Sequence, residues 1–366
     1  VRAIDDEIAR HGSISFGRFM ELALYGAEGF YTRGGGAGRR RDFVTSVEVG
    51  PLFGAVLARA LDAWWDELGQ PAPFTVVEAG AGRAQLARSI LRANPRCASA
   101  LRYVLVEVAP SARAEHPVGL PHVVPSQVFA TPAGDNDDDA AVGPPGPLVT
   151  SLGELPVTAI DGVVLANELL DNLAFDLYER RPDGWCEVRI CRREDGLSEL
   201  LVPADAVDLD APAGARVPIQ RAAQGWLRDA LGVVRRGRVV VIDYTATTAE
   251  LATRSGWLRT YAEHTLGSDP LRAPGYGDIT ADVCIDQLAA VRAPTQVRSQ
   301  ADFLRAYGID ELVLEGRARW AAAANAPDVA ALAARSRVGE AAALLDPAGL
   351  GGFTVLEYEV AGWTGA

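Results

Sequence analysis

The run Phe74-Thr-Val-Val-Glu-Ala-Gly-Ala-Gly82 constrains the fold more than any other segment of this chain. Its apolar, β-branched residues fit a short strand buried on both faces, as in a parallel sheet. The Gly-x-Gly that follows lets the backbone turn sharply and approach a ligand without interference from a Cβ. Beyond it, Arg83-Ala-Gln-Leu-Ala-Arg-Ser-Ile-Leu91 has helical spacing, with Leu86, Ile90 and Leu91 on one face. Strand, glycine turn and helix in that order open the nucleotide-binding half of an α/β sheet. Gly-x-Gly alone is equally compatible with a plain buried strand and a tight turn, so the neighbouring acids have to decide.

Glu78 closes this first strand, and a second strand, Leu101-Arg-Tyr-Val-Leu-Val-Glu107, ends in Glu107. An acid there accepts hydrogen bonds from both ribose hydroxyls of a bound nucleoside. A dinucleotide fingerprint wants a small third residue at position 85, where this chain has Gln85. That disfavours a nicotinamide oxidoreductase. S-adenosylmethionine has no diphosphate to cradle, and Glu78 suits its cationic amino group and sulfonium. The expected cofactor is S-adenosyl-L-methionine.

A length of 366 residues fits two domains, or one large α/β domain with insertions. The 49% hydrophobic content supports a real core, and no apolar run is long enough to span a membrane. A net charge of −13 excludes a general nucleic-acid binder, which needs a basic face. Cys97, Cys186, Cys191 and Cys284 lack metal-ligand spacing and read as reduced thiols of a cytosolic protein; no metal is expected. Asp5, Asp6 and Glu7 argue against a transit peptide. The acidic run Asp135-Asn-Asp-Asp-Asp139, inside a Pro/Gly/Asp-rich segment over 131–147, reads as a solvated loop.

Helical spacing from Ile4 to Tyr25 breaks at Gly12-Ser13, with Ser13 as cap of the second helix. A Gly/Arg-rich loop over 34–41 leads to a helix that ends near Trp65. Further strands are expected at 148–151, 162–168 and 237–243, with an antiparallel hairpin around Arg181-Pro-Asp-Gly184. A last strand, Phe353–Val360, alternates like an antiparallel edge. The fold class is therefore α/β: a doubly wound, mostly parallel, Rossmann-like sheet with an N-terminal helical element, an inserted hairpin and a helical accessory region. The expected boundaries are 1–66 for the helical element and cofactor-covering loop, and 67–175 with 215–245 for the core. The hairpin takes 176–214, the helical accessory region 246–340, and the returning strand 341–366.

Ligands of such sheets sit beyond the carboxyl ends of the strands. Four strands deliver Glu78, Glu107, Asn167 with Glu168, and Asp243 to one rim. A sulfonium methyl is already electrophilic, so the enzyme has to align an uncharged nucleophile. Glu168 and Asp171 together match a guanidinium, leaving one nitrogen exposed, which fits an arginine acceptor. For Asp171 the alternative is stabilisation of a helix N-terminus.

These motifs resemble the MidA family of S-adenosylmethionine-dependent methyltransferases. The resemblance runs in order through Ile14-Ser-Phe16, Gly29-Phe-Tyr31, Asp42-Phe-Val-Thr-Ser-Val-Glu48 and Glu78-Ala-Gly-Ala-Gly82. It continues through Ala166-Asn-Glu-Leu-Leu-Asp171, Val241-Ile-Asp-Tyr244, Leu258-Arg-Thr-Tyr-Ala-Glu-His264 and Asp278-Ile-Thr-Ala-Asp-Val283. It implies a class I methyltransferase. The family's mitochondrial branch dimethylates an arginine on a complex I subunit, which implies a protein arginine acceptor. It also implies that Thr45 and Ser46 lie in a loop over the cofactor and bond its carboxylate, although Ser46 equally suits a helix cap. Gly80, Ala81, Gly82, Val108, Ser151, Leu152 and Asn167 complete the expected cofactor contacts. His264, after an expected Arg-Thr-Tyr helix, is a candidate base or substrate-orienting group, with a structural role as its alternative. The family usually has Gly at Ala84, and Pro at Val47 and Ala174; Ala84 is a mild change if that position is helical. Two other readings remain: a methyltransferase for a small-molecule N or O acceptor, and an assembly factor that keeps the fold without catalysis.

Overall fold

The computed structural model describes residues 2–35, 45–129, 145–262, 265–267, 269–323 and 325–361. Most of the Gly/Arg-rich loop, the acidic run 135–139 and His264 lie outside the described residues. The chain divides into two units: Val1–Val44 with Glu168–Asp229 and Asp243–Ala293, and Thr45–Asn167 with Ala230–Ile242 and Pro294–Ala366.

The second unit holds a seven-stranded sheet built from β1 (Phe74–Ala79), β2 (Leu101–Val106), β3 (Leu148–Leu152), β4 (Ile160–Asn167), β5 (Val234–Asp243), β6 (Gln296–Ser299) and β7 (Thr354–Val360). Their order is β3-β2-β1-β4-β5-β7-β6. The pairs from β3 to β5 are all parallel, and β6 runs antiparallel to β7. Every residue of β1 and β2 is buried, as their predominantly apolar sequences lead one to expect, and the burial takes in Thr75, Glu78 and Arg102 as well. β7 is not the edge expected from its alternation: it lies second from the edge, covered by β6.

Two helices flank the start of this sheet in sequence, α1 (Pro51–Glu67) and α2 (Gln85–Arg92). Gly50 precedes α1 and offers no side-chain cap. Instead Glu340, from the helix Val329–Leu344, accepts the Leu52 N–H at 2.9 Å. Glu340 is buried, so its loss strands a buried donor. Glu340→Ala should cost about 2 kcal/mol, read by urea unfolding.

The first unit is built on an antiparallel sheet. Its expected hairpin is present, with Arg181 opposite Gly184 between strands Asp176–Arg181 and Gly184–Arg193. Three more strands extend it, Gly196–Pro203, Arg216–Ile219 and the short Ser13–Ser15. Ser13 is therefore a strand residue. The helix Phe16–Tyr25 is capped by Ser15, whose Oγ accepts the Arg18 N–H at 3.1 Å. Phe16, Phe19, Met20 and Leu24 from that helix pack with Phe175, Val188, Ile190, Trp257 and Ile279. The N-terminal helices, the inserted strands and residues 243–293 thus form one unit instead of three separate elements. The region expected to be helical opens with the helix Thr248–Thr253 but also holds strands: Leu258–Ala262 pairs antiparallel with Asp278–Ala281.

Candidate active site

The glycine turn leaves β1 through Gly80 and Gly82, both left-handed at φ 69° and 51°. Glu107, directly after β2, clamps it: Oε2 accepts the Gly82 N–H at 2.9 Å, and Oε1 accepts the Ala109 N–H at 2.8 Å. Ala81 N–H donates to the Val106 carbonyl at 3.0 Å, and Glu107 N–H to the Leu152 carbonyl at 3.1 Å. Burial pushes the Glu107 carboxyl up, while these amide hydrogen bonds pull it down. A carboxylate offers about four lone-pair positions, so Glu107 retains capacity for ribose hydroxyls. A Cβ on Gly82 would meet nothing within 4 Å, so the turn faces open space. Val108 is 58% exposed beside it. An open turn with a ribose-type acid and no third glycine fits the adenosine of S-adenosylmethionine.

Ala84 is not helical. It is the left-handed residue preceding α2, at φ 61° and ψ 33°. Glycine there would relieve about 1–2 kcal/mol of strain. It would forfeit about 0.8 kcal/mol of buried methyl and about 0.5–1 kcal/mol of unfolded-chain entropy. Ala84→Gly should therefore leave stability within about 1 kcal/mol of native, read by denaturant unfolding.

Behind the turn lies a group that sequence reading passed over. His116, fully buried, places Nε2 2.8 Å from the Gly82 carbonyl and Nδ1 2.8 Å from Ser151 Oγ. His122 Nε2 lies 2.9 Å from the same hydroxyl. Ser151, expected to touch cofactor, is thus held between two imidazoles. Neither histidine sits in a motif, so the sequence offers no signal for them.

Glu78 is directed into the protein, 5% exposed, and accepts the Tyr103 hydroxyl at 2.7 Å. Burial pushes its carboxyl up to about 7, against the opposing Tyr103 and Ala87 hydrogen bonds. The native state therefore keeps its proton through a range where the unfolded chain, near 4.5, has lost it. Stability should fall as pH rises from 4.5 to 7 and level off above. Glu78→Gln removes this dependence, and its gain over native should reach about 3 kcal/mol at pH 8 and be small at pH 5, read by unfolding at both.

Thr45 precedes a short helix, Ser46–Val49, and is buried without making a side-chain cap. Ser46 is inside that helix and is not its cap; its hydroxyl donates to Gln300 Oε1 at 3.1 Å.

In the first unit a second group of acids collects. Glu168 has a left-handed backbone at φ 51° and leads into a 3-10 turn, Leu170–Asn172. Asp243 holds that turn: Oδ2 accepts the Leu170 and Asp171 N–H groups at 2.9 and 3.3 Å, and Oδ1 accepts the Tyr244 N–H at 2.9 Å. Asp171 is buried, and its Oδ1 has no hydrogen-bond partner among the described residues. Burial, then Asp243, Asp278 and Glu168, hold its carboxyl well above the usual range. Burial and Glu168 push Asp243 up to about 8. Asp278 Oδ1 accepts from Asn172 Nδ2 at 2.9 Å and from the Tyr31 hydroxyl at 3.0 Å. Arg259 acts against the raised Asp171 but is paired with Asp282 at 2.8 Å and lies over the Tyr244 ring. Its segment, Leu258–Ala262, is a strand, so the helix expected before His264 is absent.

A mostly parallel sheet ordered β3-β2-β1-β4-β5-β7-β6, with a glycine turn after β1 and an acid after β2, defines an α/β enzyme of the class I methyltransferase type. Residues 56–301 match a family described as S-adenosyl-L-methionine-dependent methyltransferase, and the chain belongs to it. Its cofactor is S-adenosyl-L-methionine. The chain is 28% identical to the Rattus norvegicus mitochondrial protein arginine methyltransferase NDUFAF7, over 83% of this chain and 73% of that protein. The Danio rerio counterpart is 26% identical over 85% and 76%. A Burkholderia thailandensis crystal structure with S-adenosyl-homocysteine bound superposes with a TM-score of 0.79 at 27% identity, covering 98% of this chain and 91% of that one. The cytosolic placement expected from the cysteines and N-terminus is corrected by these relatives, which are named as mitochondrial proteins. Among the described residues no helix is long and apolar enough to cross a membrane.

Proposed function

We propose that this methyltransferase modifies a guanidinium nitrogen of an arginine on a protein, with Glu168 and Asp171 holding the guanidinium. The observation behind this reading is the acid group itself: Asp243, Asp278 and Glu168 add to burial in raising the proton affinity of Asp171, Glu168 does the same to Asp243, and Asp171 Oδ1 is buried without a hydrogen bond among the described residues. Such a cluster is costly alone and is relieved by a planar cation that binds two carboxylates at once. The relatives named as protein arginine methyltransferases support the same acceptor.

S-adenosylmethionine supplies a methyl carbon open to in-line displacement. The chain's own part is to hold the acceptor nitrogen in line and take its proton, for which a carboxylate of the acid group is available. Gly80, Ala81, Gly82, Glu107 and Val108 form the proposed adenosine side of the cofactor site, with Thr45, Ser46, Leu152 and Asn167 as further proposed contacts. Ser151 acts there through its histidines. Incubation with methyl-labelled S-adenosylmethionine and protein extract of the source cell should place label in methylarginine after hydrolysis. Label confined to small molecules would overturn the protein acceptor.

A further inference from the structure

We infer that His116 is a positioning residue for the cofactor turn, fixing the Gly82 carbonyl, and that Ser151 and His122 set the tautomer in which it does so. The inference rests on reading the Gly80–Gly82 turn as part of the cofactor site.

The proton order follows from the three distances. The Gly82 carbonyl can only accept, so His116 Nε2 must carry hydrogen. In the neutral imidazole Nδ1 is then an acceptor and takes the Ser151 hydroxyl proton. Ser151 Oγ in turn accepts from His122 Nε2–H. The chain His122→Ser151→His116→Gly82 is thereby satisfied at every link, in one direction. Reversing it would set the His116 Nε2 lone pair against the Gly82 carbonyl. The result fixes the Gly82 peptide from its carbonyl side while Glu107 holds its N–H side. A turn whose ligand-facing side is open to space is thus pinned from behind at both ends of one residue.

This arrangement tolerates one added proton but not two. If His116 alone is charged, Nδ1–H donates to Ser151 and the serine hydroxyl turns to an unprotonated His122 Nε2. If both are charged, Ser151 faces two donors and has no acceptor within the group. Burial holds both imidazoles below their ordinary range. The charged groups facing His116 add to this: His122, Arg88 from α2 and Arg113 all oppose its protonation. Glu115, next in the chain, is paired with Arg83, and Glu107 is occupied by the Gly82 and Ala109 amides.

The test is calorimetric titration with S-adenosyl-homocysteine, using the full chain between pH 8 and pH 5. His116→Leu should weaken binding at least tenfold at pH 8. His116→Gln, which restores a donor to the Gly82 carbonyl, should come within about threefold of native. Native affinity should hold within twofold from pH 8 down to the ordinary imidazole range near 6.5, because burial keeps both rings neutral there, and should fall only below it. His122→Gln should abolish that fall, because an amide can donate to Ser151 or accept from it. Affinity within twofold of native in His116→Leu overturns the inference. Should that variant fail to fold, an acid fall that persists unchanged in His122→Gln overturns it instead. Gly80→Val separates the two readings: if it loses binding while His116→Leu does not, only the positioning role fails. If Gly80→Val also binds normally, the turn is not the cofactor site.

Discussion

Gly80→Val should reduce S-adenosyl-homocysteine affinity at least a hundredfold while leaving the unfolding midpoint nearly unchanged. Gly80 sits at φ 69°, a left-handed conformation that a β-branched residue resists on steric grounds. It is exposed at the end of β1, so little packing is lost when the backbone moves away. The movement would draw Ala81 and Gly82 with it, and with them the hydrogen bonds to Val106 and Glu107 that shape the turn. Calorimetric titration measures the loss. Affinity within threefold of native would remove this turn from the cofactor site.

Glu168→Gln is expected to keep cofactor affinity and lower methyl transfer a hundredfold or more. The substitution preserves size and accommodates the same left-handed backbone about as readily, so the turn held by Asp243 should persist. What changes is charge. Truncating one partner of a buried ion pair costs about 3–5 kcal/mol, equivalent to roughly two to four orders of magnitude in rate if the loss falls on the transition state. Single-turnover transfer of labelled methyl, run beside cofactor titration, separates binding from chemistry. Full turnover would eliminate the proposed role of Glu168.

The parts of this fold that were legible from sequence are those whose pattern is local. Phe74–Ala79 and Leu101–Val106 are short, predominantly apolar runs rich in β-branched and aromatic residues, the pattern of a strand buried on both faces. Glu107 could be placed because it directly follows such a run. The hairpin at Arg181–Gly184 declared itself by its turn residues. Ala84 and Leu258–Ala262 were misread because their conformation is imposed from outside, one by the sharp entry into α2 and the other by pairing with Asp278–Ala281. Glu78 has the right residue type at the right strand end, yet its rotamer turns to Tyr103, a partner 25 positions away. His116 and His122 gain their roles only when residues 82, 116, 122 and 151 meet.

The position of β7 between β5 and β6 bears on how the protein is made. A ribosome releases residues 296–299 well before 354–360, so β6 emerges with no strand to join. Until β7 follows, the nascent sheet exposes the unpaired backbone N–H and C=O groups along one edge of β5, and unpaired edges of this kind recruit other chains. The same interval leaves α1 without Glu340 at its N-terminus. Synthesis of this enzyme therefore passes through a long stage in which the cofactor-turn strands are complete but the sheet is not. Shielding by a chaperone that recognises open strand edges would matter most in that window.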